Sequence, residues 1–196
     1  MSKTVIFYFD VGSPTSYLAS RVLPRLARER GAVVVWKPVL LGGIFKATGN
    51  GAPGEIPAKA AWMFRDIALW ADKWGVEYEY NAAFPINTLA LQRGAAAYEN
   101  TDKFATYINA VFSAMWEKPQ NLGDPAILAA MLTAAGFDAE DFKERIGSAE
   151  VKERLKANTD EAVRAGAFGC PTFVVGGELF FGQDRLEFVS RALEND

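Results

Sequence analysis

Residues 4–14, Thr-Val-Ile-Phe-Tyr-Phe-Asp-Val-Gly-Ser-Pro, set the architecture of the chain. From Thr4 to Phe9 the side chains are β-branched or aromatic without helical spacing, which predicts a buried strand, and Asp10-Val11-Gly12 then predicts a tight loop. Ser13-Pro14 is a helix start. A serine oxygen accepts from an otherwise orphaned backbone N–H, and proline at the first helical position has no N–H to satisfy. Tyr17, Leu18, Val22 and Leu26 share one face of that helix, Pro24 predicts a bend in it, and Gly31 predicts its end. Residues 33–37, Val-Val-Val-Trp-Lys, follow as a second strand, so the chain opens as a βαβ unit with a parallel pair and a right-handed crossover.

The other end mirrors this opening. After a short helix over about 159–166, residues 167–175 read Ala-Phe-Gly-Cys-Pro-Thr-Phe-Val-Val; Gly176-Gly177 then predicts a hairpin turn, Glu178 to Phe181 a strand, and Gly182-Gln183-Asp184-Arg185 the start of a last helix ending near Leu193. Between the two ends the sequence is rich in Ala, Leu, Lys and Glu, with amphipathic stretches at 58–74, 87–99, 101–116, 125–135 and 138–156. Residues 42–54 hold too many glycines for a continuous helix and are expected to form a loop. The fold class is therefore α/β: residues 1–39 and 159–196 make one small sheet domain, and 40–158 are a helical insertion between its halves.

Composition excludes several kinds of chemistry. The chain has 21 basic and 24 acidic side chains, a formal charge of −3, and no Lys/Arg-rich run, so neither nucleic acid nor an anionic membrane is an expected partner. No apolar run approaches the ~18 residues of a membrane span. Met1-Ser2-Lys3-Thr4 leads straight into a strand, where a secretory signal would show an apolar core and cleavage site, and a cytoplasmic location is expected. With no histidine, imidazole acid–base steps and Ser-His-Asp systems are ruled out. With one cysteine, Cys170, neither an internal disulfide nor a two-cysteine redox cycle can form.

Asp10-Val11-Gly12-Ser13-Pro14, Leu40 to Lys46, Thr48-Gly49-Asn50, Gly169-Cys170-Pro171-Thr172 and Phe181 to Leu186 occur in this order along nearly the whole chain. Together they resemble the 2-hydroxychromene-2-carboxylate isomerases and the related kappa-class glutathione transferases. The resemblance implies a thioredoxin-like domain (βαβ…ββα) carrying the helical insertion, a cis peptide before Pro171, and glutathione as cofactor. It also implies a small aromatic or electrophilic substrate, a homodimer, and a place in aromatic, naphthalene-type catabolism. In the wider thioredoxin superfamily a Cys-x-x-Cys pair opens the first helix; here Ser13 and Ser16 fill those places, and redox exchange through that motif is excluded.

Each implied site residue also has a plainer reading. Ser13 is either the donor that stabilises a glutathione thiolate or simply a helix cap. Bringing a thiol from its usual value near 8.5 to about 6.5 needs roughly 2.7 kcal/mol. A charge-assisted hydrogen bond of about 1.5–3 kcal/mol, with about 0.3–1 kcal/mol from the helix terminus, supplies that. Cys170 and Pro171 are implied to hold the cysteinyl part of glutathione; Cys170 is either a thiol near the cofactor sulfur, open to a mixed disulfide, or a small apolar residue. Asp184 is implied to bind the γ-glutamyl amino group, and the backbone of Gly182, Gln183, Asp184 and Arg185 its carboxylate; the alternative is an N-cap. Lys59 and Asn50 match residues expected at the glycyl end, or are solvated side chains. Lys46, Phe84, Asn87 and Trp116 are candidate substrate-lining residues, with core packing the alternative for Phe84 and Trp116.

The leading functional expectation is glutathione-dependent isomerisation of 2-hydroxychromene-2-carboxylate to trans-o-hydroxybenzylidenepyruvate. The runner-up is a kappa-like glutathione transferase or peroxidase acting on electrophiles. A third reading is a silent glutathione-binding scaffold.

Overall fold

A computed structural model describes residues 3–195 of the chain. The reading of the start on Met1 and Ser2 lies outside the described residues. Strand β1 (Lys3–Phe9), helix α1 (Pro14–Glu29) and strand β2 (Ala32–Pro38) form the opening unit, with β1 and β2 parallel from Lys3 opposite Ala32 to Phe9 opposite Pro38. Near the other end β3 (Thr172–Val175) pairs antiparallel with β1, and β4 (Glu178–Phe181) antiparallel with β3, giving the sheet order β2-β1-β3-β4. Gly176 and Gly177 turn this hairpin with φ of 55° and 88°, the paired positive values that a tight two-residue turn demands. Helix α1 continues through Pro24 and ends before Gly31, where φ is 65°.

Alternation along β1 sorts its side chains onto two faces. Val5, Phe7 and Phe9 enter the main core with Tyr17, Leu18, Phe173, Leu186, Val189 and Leu193, so α1 and the last helix cover that face. Tyr8 points to the other face, where it packs with Val39, Ile44, Ala162, Ala167 and Cys170.

The intervening helices are α2 (Leu41–Thr48), α3 (Pro57–Trp74), α4 (Leu89–Tyr98), α5 (Phe104–Trp116), α6 (Pro125–Ala134), α7 (Ala139–Gly147) and α8 (Ala149–Arg164); α9 (Leu186–Asn195) closes the chain. Two of them correct the sequence reading. Helix α2 occupies most of the stretch expected to be a loop. Its exposed first-turn N–H groups gain tertiary acceptors, the Leu41 N–H on Asp10 Oδ2 at 2.9 Å and the Leu40 N–H on Thr159 Oγ1 at 3.0 Å, which offset the glycine penalty of about 1 kcal/mol per residue. Gly43 also serves packing: a Cβ there would come within 3.2 Å of Thr159 Cγ2 on α8.

The second correction concerns 138–166, read as one long helix and one short one. The break falls earlier, at Ser148, whose hydroxyl accepts from the Val151 N–H and starts α8. Helix α8 then runs unbroken through residues 158 and 159, so the boundary expected there lies in mid-helix. Buried Asn158 and Thr159 are accommodated because Asn158 donates to Glu99 Oε2 and Thr159 to the Leu155 carbonyl.

Two contacts fix the helices around α1. Arg21 on α1 meets Glu117 at 2.6 Å, and the Tyr17 hydroxyl donates to the same carboxylate at 3.0 Å. Helix α4 packs so closely on α5 and α7 that a Cβ on Gly94 would overlap the Tyr107 hydroxyl and lie 2.6 Å from the Phe142 ring.

Gly94→Ala is therefore expected to destabilise the protein by about 1–3 kcal/mol through overpacking, despite alanine's better helix propensity, as read from urea unfolding. Glu117 carries a pH-dependent share of stability. Burial disfavours its anion, but the Ser113 hydroxyl, the Arg21 charge and the Tyr17 hydroxyl outweigh burial and hold the carboxyl below the usual glutamate range. Its contribution is complete above the unfolded value, about 4.3, and disappears as pH falls through the lower folded value. Glu117→Gln should lower Tm at pH 7, and the gap to the unmodified protein should narrow progressively as pH falls below about 4.3; a gap that stays constant through the acid range would exclude this linkage.

Candidate functional site

The site begins where β1 hands the chain to α1. Ser13 is buried, with extended backbone angles (φ −93°, ψ 113°), and its Oγ accepts from the Ser16 N–H at 3.1 Å, so it caps α1. The same hydroxyl donates to the Cys170 carbonyl at 3.1 Å and lies 2.9 Å from Thr15 Oγ1. The Cys170–Pro171 peptide is cis. Ser13, Cys170 and Pro171, distant in sequence, thus meet at the amino end of α1, where helical peptide dipoles favour an anion. Ser16 is fully buried, and its hydroxyl has no hydrogen-bond partner among the described residues.

The loop that presents Ser13 is held on every side. Asp10 Oδ1 accepts from the Gly12 N–H at 2.9 Å, and the Ser13 N–H donates to the Asp10 carbonyl at 2.9 Å. Gln92, on α4, donates to the Phe9 and Val39 carbonyls at 2.9 and 2.7 Å and accepts from the Val11 N–H at 3.2 Å. Trp116 donates its indole N–H to the Val11 carbonyl at 2.8 Å. This corrects Trp116 as a substrate-lining residue: it is fully buried beneath the loop, because an indole N–H taken from water needs an acceptor and Val11 supplies it. Phe84 packs half-buried against the Trp116 ring at 5.5 Å, and the Phe84–Pro85 peptide is also cis.

Burial first, then the electrostatic effect of Asp10, pushes the Cys170 thiol far above its usual range. Of its two readings, the small apolar residue is the one its surroundings match. Asp10 is likewise pushed upward by burial, against the hydrogen bonds from Leu41, Gly12 and Thr88 that favour its anion.

The remaining candidates fall into two groups. Gly182, at φ 97°, donates its N–H to the Pro171 carbonyl at 2.9 Å and so ties Gln183, Asp184 and Arg185 to the cis-proline turn. Asn50 donates to the Phe168 carbonyl at 2.8 Å, joining the α2–α3 connection to the same turn from the other side. Asp184 pairs with Arg185 at 3.2 Å. Lys46 and Lys59 are exposed on α2 and α3, and Asn87 is exposed with its Oδ1 accepting from the Leu89 N–H at the start of α4. No polar contact among the described residues joins these three to Ser13.

Sequence reasoning missed Gln92, whose polar side chain sits in an apolar helix with no motif around it, and Asp66 on α3. Burial raises the Asp66 carboxyl and the nearby Asp184 charge raises it further, against a hydrogen bond from Trp70. Lys59 lies seven residues before Asp66 on the same helical face, about 10 Å away along the axis. A cation at one end of this stretch and a carboxylate at the other, with the Asp184 charge close to the second, is a charge pattern complementary to a short zwitterionic peptide. An extended tripeptide spans about that same 10 Å.

The sequence pattern of the DSBA-like thioredoxin domain matches residues 4–194. The 2-hydroxychromene-2-carboxylate isomerase of Sphingobium xenophagum is 31% identical, over 98% of this chain and 99% of its own length. Glutathione S-transferase kappa 1 of Homo sapiens is 28% identical over 98% of this chain and 92% of its own. Among solved structures, one of 2-hydroxychromene-2-carboxylate isomerase superposes with a TM-score of 0.87 at 28% identity, covering 98% of this chain and 95% of the other. The chain belongs to the DSBA-like thioredoxin domain family and, within it, to the group of 2-hydroxychromene-2-carboxylate isomerases and kappa-class glutathione transferases.

Proposed function

We propose that this chain is a glutathione-dependent isomerase interconverting 2-hydroxychromene-2-carboxylate and trans-o-hydroxybenzylidenepyruvate. The observation that carries the reading is the buried Ser13 hydroxyl at the amino end of α1, against the cis Cys170–Pro171 peptide, where a redox-active thiol would serve disulfide exchange. Glutathione, when bound, supplies a sulfur nucleophile that adds to a conjugated carbon and leaves again, freeing a double bond to rotate.

The chain's own residues prepare that sulfur. Ser13 donates a hydrogen bond to it and the helix terminus favours its anion, together enough for the roughly 2.7 kcal/mol that a two-unit fall in pKa requires. Asp184, with Asp66 beside it, receives the α-amino group, and backbone N–H groups of Gly182 to Arg185 receive the adjoining carboxylate. Lys59 and Asn50 serve the glycyl end. Lys46 on α2 offers a cation to the substrate carboxylate, Asn87 an amide, and Phe84 an aromatic wall; with Trp116 in the core, Phe84 is the aromatic residue left for that role.

A kappa-like transferase is the second reading, favoured by the near-equal identity to the isomerase of Sphingobium xenophagum and the human kappa enzyme. A product of unchanged mass supports the isomerase, and one heavier by the glutathionyl group supports the transferase.

Ser13→Ala should lower isomerase turnover by roughly 10- to 100-fold, the rate equivalent of a lost charge-assisted hydrogen bond, while Tm falls only slightly. Turnover unchanged from the parent would falsify the role given to Ser13. Asp184→Asn should weaken glutathione binding about tenfold in calorimetry and leave binding of an analogue lacking the α-amino group unaffected; equal losses for both ligands would remove the ammonium contact.

A further inference from the structure

Asn50 is followed by Gly51, whereas every other asparagine of the chain precedes a residue that carries a Cβ. The pair lies exposed in the connection from α2 to α3. There the Gly51 N–H donates to Oδ1 of the Asn50 side chain at 2.9 Å, so the peptide nitrogen lies beside the carboxamide, one side-chain rotation from its Cγ. No side chain on residue 51 shields that approach, and a Cβ there would fall 2.7 Å from Glu55 Oε2, which folds back over the turn. The amide nitrogen exposed to this chemistry is the one that ties the connection down: Asn50 Nδ2 donates to the Phe168 carbonyl at 2.8 Å, two residues before the cis Cys170–Pro171 peptide.

We propose that Asn50-Gly51 is a self-modification site, at which spontaneous deamidation of Asn50 releases the α2–α3 connection from the cis-proline turn and weakens the hold on glutathione. The Gly51 nitrogen gives its proton to solvent and bonds to Asn50 Cγ; the Cγ–Nδ2 bond breaks, and Nδ2 takes a proton from water and leaves as ammonia. Water then adds to either carbonyl of the resulting succinimide and opens it to an aspartyl or an isoaspartyl residue. In sum one water is consumed and one ammonia released, with no change of oxidation state. The product has a carboxylate where the Phe168 carbonyl had a donor, so two acceptors face each other, and it adds a negative charge at the end of the site given to the glycyl carboxylate. The modification stands on the Asn50-Gly51 geometry alone; its effect on glutathione rests on the reading of Asn50 as a residue of the glycyl end.

Ageing the protein in warm neutral buffer, followed by ion exchange and peptide mass mapping, should accumulate a species with one more negative charge, its mass change confined to Asn50 and divided between aspartyl and isoaspartyl forms. Gly51→Ala, whose Cβ displaces only the flexible end of Glu55, should slow this roughly tenfold. Aged protein and fresh Asn50→Asp should both bind glutathione about tenfold more weakly than fresh parent in calorimetry, while aged Gly51→Ala keeps its affinity. An unchanged Asn50 in aged protein, or a rate that Gly51→Ala does not alter, would overturn the inference. Should Asn50 deamidate while aged protein and Asn50→Asp bind glutathione like fresh parent, the weakened hold is wrong and Asn50 leaves the glycyl end. Failure of the fresh parent to bind glutathione at all would instead overturn the functional reading, and the mass change at Asn50 would be untouched by it.

Discussion

A buried loop has to find hydrogen bonds for its own peptide groups, and the loop from Phe9 to Ser13 finds them in side chains from elsewhere in the chain. Gln92 closes three backbone groups at once, Trp116 takes the Val11 carbonyl, and Asp10 takes the Gly12 and Leu41 N–H groups. An unmet buried donor or acceptor costs about 1–3 kcal/mol, so this set defines one conformation of the loop and penalises the others. Helix α1 can present Ser13 at a fixed place because the residues before it have no freedom left. The insertion contributes directly: Gln92 comes from α4 and Trp116 from α5, so the helices between the sheet halves hold the loop as well as cover the core.

Charge is distributed to match. Asp10 is a buried carboxyl surrounded by donors beneath the loop, and its presence, with burial, helps keep Cys170 a thiol. Protonated and buried, Cys170 offers its carbonyl and its bulk to the site. The charged side chains suited to a peptide's ends lie further out, on the exposed or half-exposed surfaces of α3 and the Gly182–Arg185 turn, where binding does not require full desolvation of each charge.

Local signals carried much of this arrangement. The apolar runs of β1, β2 and β3, the Ser13-Pro14 start, the Gly176-Gly177 turn and the α3 boundaries are short-range features, legible because each element's formation depends on residues within a few positions of it. Helix α2 was not legible: its Gly42-Gly43 pair opposes helix locally, and what overrides it is an acceptor on Asp10, some thirty residues away, and another on Thr159. The break at Ser148 was hidden for the converse reason, since the residues on both sides of it are good helix formers and only the cap places the junction.

The sequence by itself determined the fold class, the absence of histidine and paired-cysteine chemistry, and the residues that mark the family, since composition and local pattern suffice for these. Tertiary structure decided which polar side chains serve architecture and which face the site. Trp116 went inward because its N–H has Val11 to satisfy, and Asp66 came within range of the Asp184 charge although the two are far apart in sequence. None of these can be read along the chain, because each is set by a partner that only folding brings near.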